Sequence, residues 1–240
     1  KTTLARLLVR SLPAGARVIA IDDPRLTPQE LLTTLLRARE TIPAPDLSLS
    51  ELTHLVRGQY SIAQAHGEIC TLILDEAQSL SGETLEQLRL LSNLECPAGR
   101  LFSILLLGQP QLLRRLMHPS QQMLWQRIRA FAALPPLTRE EVGSYVNFRL
   151  HQAGGHEMLF STAALNELSH LSQGLPRTLN ALCDRTLTLC WRRGRRLAGV
   201  REVRRAARAV LHFRPGFKVR LKSLLYELPH LLMVRLPFIL

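Results

Sequence analysis

Residues 71–78, Thr-Leu-Ile-Leu-Asp-Glu-Ala-Gln, end an apolar run in two adjacent carboxylates, Asp75 and Glu76. Ligands of open α/β sheets bind at the C-terminal edge of parallel strands, so a buried strand ending here would carry its acids to that edge. An Asp there holds Mg²⁺ through water, and a Glu beside it orients and polarises an attacking water, as in a nucleoside triphosphatase. The same pair also suits the opening of the following helix, where the helix dipole favours negative charge. A second apolar run, residues 101–107, closes in Gly108-Gln109-Pro110. If the two strands are parallel neighbours, Gln109 emerges level with Asp75, its amide within reach of a γ-phosphate or the attacking water. In isolation, Gly-Gln-Pro is an ordinary turn.

Lys1-Thr2-Thr3 opens an amphipathic helix with Ala5, Leu7, Leu8 and Leu12 on its apolar stripe. About seventy residues before an Asp-Glu strand, it also matches the tail of the phosphate-binding loop G-x-x-x-x-G-K-[ST], cut after its last glycine. Lys1 would then reach the β/γ-phosphates of ATP and Thr2 would ligand Mg²⁺. The glycines that cradle the phosphates, and the strand before them, are not in this sequence. The stretch is therefore expected to be a piece truncated within that loop, and to be inactive by itself.

The elements that must hold these residues read clearly. Residues 17–22 form a further apolar run after the Pro13-Ala-Gly15 turn signal, expected as a buried strand. Thr27-Pro28-Gln29-Glu30 starts a helix, another spans about 50–66, and Ser81 caps a third that carries Leu85, Leu88 and Leu91. Residues 121–129 read as helical and 130–134 as a short last strand before Pro135-Pro136. Beyond Thr138 the pattern is helical throughout: Thr138 with Glu141 as a capping box, Ser161 as a cap, then residues 175–191 and 200–211. The expected organisation is an α/β core over residues 1–136, a helical domain over 137–212, and a basic and apolar tail over 213–240. In the helical domain, Gly174-Leu175-Pro176-Arg177 sets an arginine near a helix start, unfavourable for the dipole unless an anion such as phosphate meets it.

The chain of 240 residues has a net charge of +12, with 31 Lys and Arg against 19 Asp and Glu. The excess is local: residues 192–222 hold twelve Arg or Lys and one acid, Glu202. Such a block suits an anionic neighbour, nucleic acid or an acidic membrane surface, or else a solvated helix face. Cys70, Cys96, Cys183 and Cys190 have neither metal-ligand nor disulfide spacing and read as reduced, buried cytosolic residues.

Taken in order, Lys-Thr-Thr-Leu, Leu-Ile-Leu-Asp-Glu-Ala-Gln, Leu-Leu-Gly-Gln-Pro-Gln-Leu, Gln-Arg-Ile and Gly-Leu-Pro-Arg-Thr-Leu-Asn resemble the AAA+ ATPases of the general secretion pathway protein A type, over residues 1 to about 211. The resemblance implies a P-loop αβα parallel-sheet core followed by an all-helical lid, ATP in the cleft, and an arginine from the next subunit of a ring oligomer. By motif, Lys1 and Thr2 belong to Walker A, Asp75 and Glu76 to Walker B, and Gln109 falls at sensor 1. Arg127 matches the trans-acting finger, with Arg129 next, and Arg177 matches sensor 2. In that family the first strand is central, so its absence here is expected to leave a gap in the sheet or to impair folding. The implied role is an assembly factor for a bacterial envelope machine, type II secretion or type IV pilus-like, on the cytoplasmic side and peripheral at the inner membrane. A DNA-associated AAA+ ATPase of the transposition-helper kind shares these motifs, and a non-hydrolysing nucleotide-binding scaffold is the third alternative. Family members often continue into a transmembrane helix, but residues 221–240 are broken by Lys222, Glu227, Pro229, Arg235 and Pro237 and read as an amphipathic or interfacial segment, or as a frayed terminus outside the family pattern.

Overall fold

The computed structural model describes residues 2–13, 15–23, 25–155, 158–211 and 230–234. The chain divides into two compact units, Lys1–Leu134 with Leu228–Leu240, and Pro135–Glu227. The first is built on a five-stranded sheet of order β1-β2-β5-β7-β6. Strands β1 (Ala16–Ile21), β2 (Ile69–Leu74) and β5 (Phe102–Gly108) run parallel, in a register that sets Ile21 beside Leu74 and Leu74 beside Leu106. Their apolar runs are continuous because both faces are covered. Leu72, Leu74 and Leu106 join one cluster with leucines of α2 (Pro28–Arg37), α3 (Leu49–Ala65) and α4 (Gly82–Leu91), while Ile73, Leu105 and Leu107 meet Ala5 and Leu8 of α1 (Thr2–Ser11) on the other.

Local chemistry fixes the helix starts. Thr27 with Glu30 and Ser48 with Glu51 form complete capping boxes, and Ser81 accepts the Thr84 N–H. Tyr60, 2% exposed, donates its hydroxyl to Leu35 O at 2.9 Å and packs on Phe102 with ring centroids 4.6 Å apart, tying α3 to α2 and β5. A two-residue hairpin, β3 (Glu95–Cys96) with β4 (Gly99–Arg100), precedes β5. The four thiols are free; Cys70 and Cys190 are buried, whereas Cys96 and Cys183 are half-buried, less enclosed than the sequence suggests. Burial pushes the Cys70 and Cys183 thiols up to about 12, so both stay protonated and poorly nucleophilic near neutrality.

Three expectations need correction. The helix expected over 121–129 is only α6 (Gln122–Trp125), because Arg127 and Ile128 bond back to Leu124 and Trp125 in a tighter turn before β6 (Ala130–Leu134). The sheet has no gap: β7 (His230–Val234) lies antiparallel between β5 and β6, pairing Leu107 with Leu232 and Ala132 with Leu232. Its backbone satisfies edges that would otherwise present unpaired N–H and C=O groups. Residues 230–234 are thus a sheet strand and not an interfacial segment, while 221–229 and 235–240 lie outside the described residues. Among the described residues no helix is long and apolar enough to cross a membrane.

The second unit holds α7 (Arg139–Gln152), α8 (Thr162–Ser172), α9 (Pro176–Trp191) and α10 (Val200–Val210) around Val142, Val146, Phe160, Leu168, Leu182 and Val203. Thr138 and Glu141 complete a capping box, Ser161 caps α8, and a parallel bridge joins Phe160 to Ala198.

Candidate functional site

The parallel strands bring their chemistry to one edge. Asp75 follows the last residue of β2 and donates its N–H to Ile21 O at 3.1 Å, which carries the pairing with β1 one step further. Its Oδ1 accepts the Glu76 N–H at 2.8 Å. Glu76 adopts φ 50°, ψ 34°, left-handed backbone that costs a non-glycine residue about 1–2 kcal/mol. That turn reverses the chain into a short 3₁₀ segment, Ala77–Ser79, and leaves both carboxylates half-buried at the strand tip.

Gln109 sits one residue beyond β5, at the N-cap of α5 (Pro110–Leu116). Glutamine is not a favoured N-cap residue, and its side chain makes no cap bond here. Its Nε2 donates instead to Glu76 Oε2 at 3.2 Å. The same oxygen accepts Gln78 Nε2 at 2.6 Å, and Gln78 Oε1 accepts the Gln109 backbone N–H at 2.9 Å. Glu76, Gln78 and Gln109 therefore close a hydrogen-bonded ring across the tips of β2 and β5. The approach requires Gly108: a Cβ there would lie 2.6 Å from Leu112 Cδ2 and 3.2 Å from Gln78 Oε1. The Arg115 guanidinium donates to Gln78 O, anchoring the far side of the ring to α5.

Lys1 is outside the described residues, and Thr2 begins α1, of whose first residues only the backbone is described. Arg127 and Arg129 are exposed between α6 and β6. Arg177 is exposed in the first turn of α9, in the other unit.

A family model for an AAA domain matches residues 1–116. General secretion pathway protein A of Aeromonas hydrophila is 39% identical over 194 residues, 81% of this chain. The chain belongs to the AAA family. This AAA chain is related to general secretion pathway protein A and spans 36% of that protein's length. Its fold is similar to that of Cdc6p from Pyrobaculum aerophilum, with a TM-score of 0.66 at 17% identity over 87% of this chain and 56% of that one. It is similar too to the Aeropyrum pernix ORC2 protein in its ADPNP-ADP complexes, with a TM-score of 0.61 at 16% identity over 86% and 57%. Membership of the AAA family implies nucleotide binding by a P-loop α/β core.

Sequence reasoning missed Gln78 and Arg115. Gln78 closes the Asp-Glu motif without a role that its type or spacing assigns, and Arg115 on α5 gives no signal of its own. A glutamine three residues past the strand-ending Asp, with Gly-Gln closing the neighbouring strand, is the pattern that would have pointed to the ring.

Proposed function

We propose that the protein binds and hydrolyses ATP with Mg²⁺ as a ring-forming assembly factor for a bacterial envelope machine, type II secretion or type IV pilus-like, acting from the cytoplasmic side of the inner membrane. The observation that carries this reading is the pair Asp75 and Glu76 at the parallel sheet edge with Gln109 bonded to Glu76, in a chain related to general secretion pathway protein A. Mg²⁺ is held by one or two protein ligands with waters and substrate phosphates, and a single carboxylate at a strand tip, as Asp75 offers, fits that donor set. Asp75, with Thr2, would hold the ion; Lys1 and Arg177 would bind phosphate. When bound, Mg²⁺ neutralises charge on the phosphates. Glu76 orients and polarises the attacking water, and Gln109 senses the terminal phosphate. Nucleotide state would drive the remodelling of a partner.

The test is ATP turnover by the full-length protein. Glu76→Gln keeps the shape and removes the base, so turnover should fall by about 10²–10⁴-fold with nucleotide binding retained. Tight binding with no turnover that depends on Glu76 would leave only the scaffold reading.

One observation favours the alternative, a DNA-associated ATPase. Arg195 pairs with Glu202 and Arg204 with Glu167, both at 2.8 Å, whereas Arg201, Arg205 and Arg208 share one exposed face of α10 and have no ion pair among the described residues. If that face binds DNA, replacing the three with Ala should reduce the slope of log affinity against log salt by about 2–3. Affinity for anionic vesicles that drops with the same changes, with DNA affinity unaffected, would favour the envelope reading.

A further inference from the structure

The ring at the strand tips gives Gln78 a task that neither the motif nor the family relationship assigns. We propose that Gln78 is a positioning residue that aims the Glu76 carboxylate and couples it to Gln109. This rests on the reading of Glu76 as the water-activating group.

Three features carry it. A single primary amide spends both ends within the site: Nε2 donates to Glu76 Oε2 at 2.6 Å and Oε1 accepts the Gln109 N–H at 2.9 Å. The Gln78 backbone is itself held, through its carbonyl to the Arg115 guanidinium on α5. Gly108 leaves room for the amide, since a Cβ there would come within 3.2 Å of Gln78 Oε1. A carboxylate at the tip of a left-handed turn has several rotamers; two donors on one oxygen, Gln78 Nε2 and Gln109 Nε2, favour one of them and so set the direction of the carboxylate. Because the Gln109 main chain is bonded to the same amide, a displacement of Gln109 on meeting a terminal phosphate shifts Gln78 and, through it, Glu76.

The experiment compares Gln78→Met, Gln78→Glu and Glu76→Gln in the full-length protein. Methionine keeps the length and removes both hydrogen bonds. It should lower kcat by about 10–100-fold, the usual cost of losing a hydrogen bond that orients a reacting group, with KM for ATP little changed. Glutamate keeps an acceptor for the Gln109 N–H but loses the donor to Glu76 and sets a like charge beside it, so kcat should fall here too. A readout without nucleotide accompanies these: in Gln78→Met the Gln109 amide should exchange with deuterium faster than in wild type, and in Gln78→Glu it should remain protected. Wild-type kcat in Gln78→Met, with Glu76→Gln inactive, would overturn the positioning role alone, as would a change confined to KM. Full turnover in Glu76→Gln, or none in wild type, would overturn the reading on which it rests. Should Gln78→Met unfold, wild-type kcat in Gln78→Glu, which lacks the donor to Glu76, would still refute the proposal.

Discussion

Arg127→Ala in the full-length protein is expected to cut ATP turnover by about 10³–10⁵-fold while nucleotide affinity stays nearly constant. Arg127 follows α6 on an exposed turn, its backbone N–H bonded to Leu124 O at 2.9 Å, so the main chain is fixed and the guanidinium faces outward. An arginine presented this way suits a neighbouring subunit's phosphates, because its planar fork stays charged and neutralises charge that develops only in the transition state. The decisive measurement mixes variants. On the proposed roles, Glu76→Gln lacks the water-activating group and Arg127→Ala lacks the finger, so each alone should be inactive. In mixed rings one interface in some arrangements has both parts, and turnover should reappear. Turnover in Arg127→Ala equal to wild type would remove the assignment and pass it to Arg129, while mixed rings that stay inactive would place the arginine in its own subunit's site.

Gly174→Ala should be the most damaging single-methyl change in the helical unit, costing at least about 4 kcal/mol, in the range reserved for core or backbone violations. Gly174 has φ +70°, and an added Cβ would lie 2.1 Å from Leu137 O and 2.8 Å from Leu137 N. Neither atom can move aside cheaply, because the Leu137 N–H donates to Gly174 O at 2.9 Å and Thr138 next to it caps α7. The left-handed backbone adds about 1–2 kcal/mol for any L side chain. Gly143 within α7 is the control: a Cβ there would meet only Leu165 Cδ1 at 3.9 Å, so Gly143→Ala should be neutral or stabilise the helix by up to about 1 kcal/mol. Thermal unfolding followed by circular dichroism distinguishes the two, and a Gly174→Ala variant melting with wild type would refute the steric argument. The glycine of Gly-Leu-Pro-Arg is thus explained by packing, independently of any phosphate at Arg177.

The sequence made the strand tips legible because continuous apolar runs have one meaning in a parallel sheet, and Asp75, Glu76 and Gln109 each lie within two residues of the end of such a run. Helix starts were legible where the cap and the third helical residue are local partners, as in Thr27 with Glu30 and Thr138 with Glu141. What escaped depends on separation. Gln78 gains its role only through the reversed backbone at Glu76 and a strand end far along the chain. Arg115 acts through a backbone carbonyl, which no side-chain pattern encodes. The end of α6 at Trp125 reflects a tightened last turn before an extended segment, which propensity does not register. β7 was unreadable for the same reason, as five residues in a basic and apolar tail carry no sign of partners at residues 105–108 and 130–134.

The position of β7 has a consequence for the order in which the sheet assembles. Val234 pairs with Leu105 and with Ala130, 129 and 104 residues earlier, whereas β1 and β2 pair across only 53. A longer loop costs more entropy before the contact is rewarded, so the β1-β2-β5 pairings should form before β7 docks, and the β7 amides should be the first in the sheet to lose protection when the protein opens.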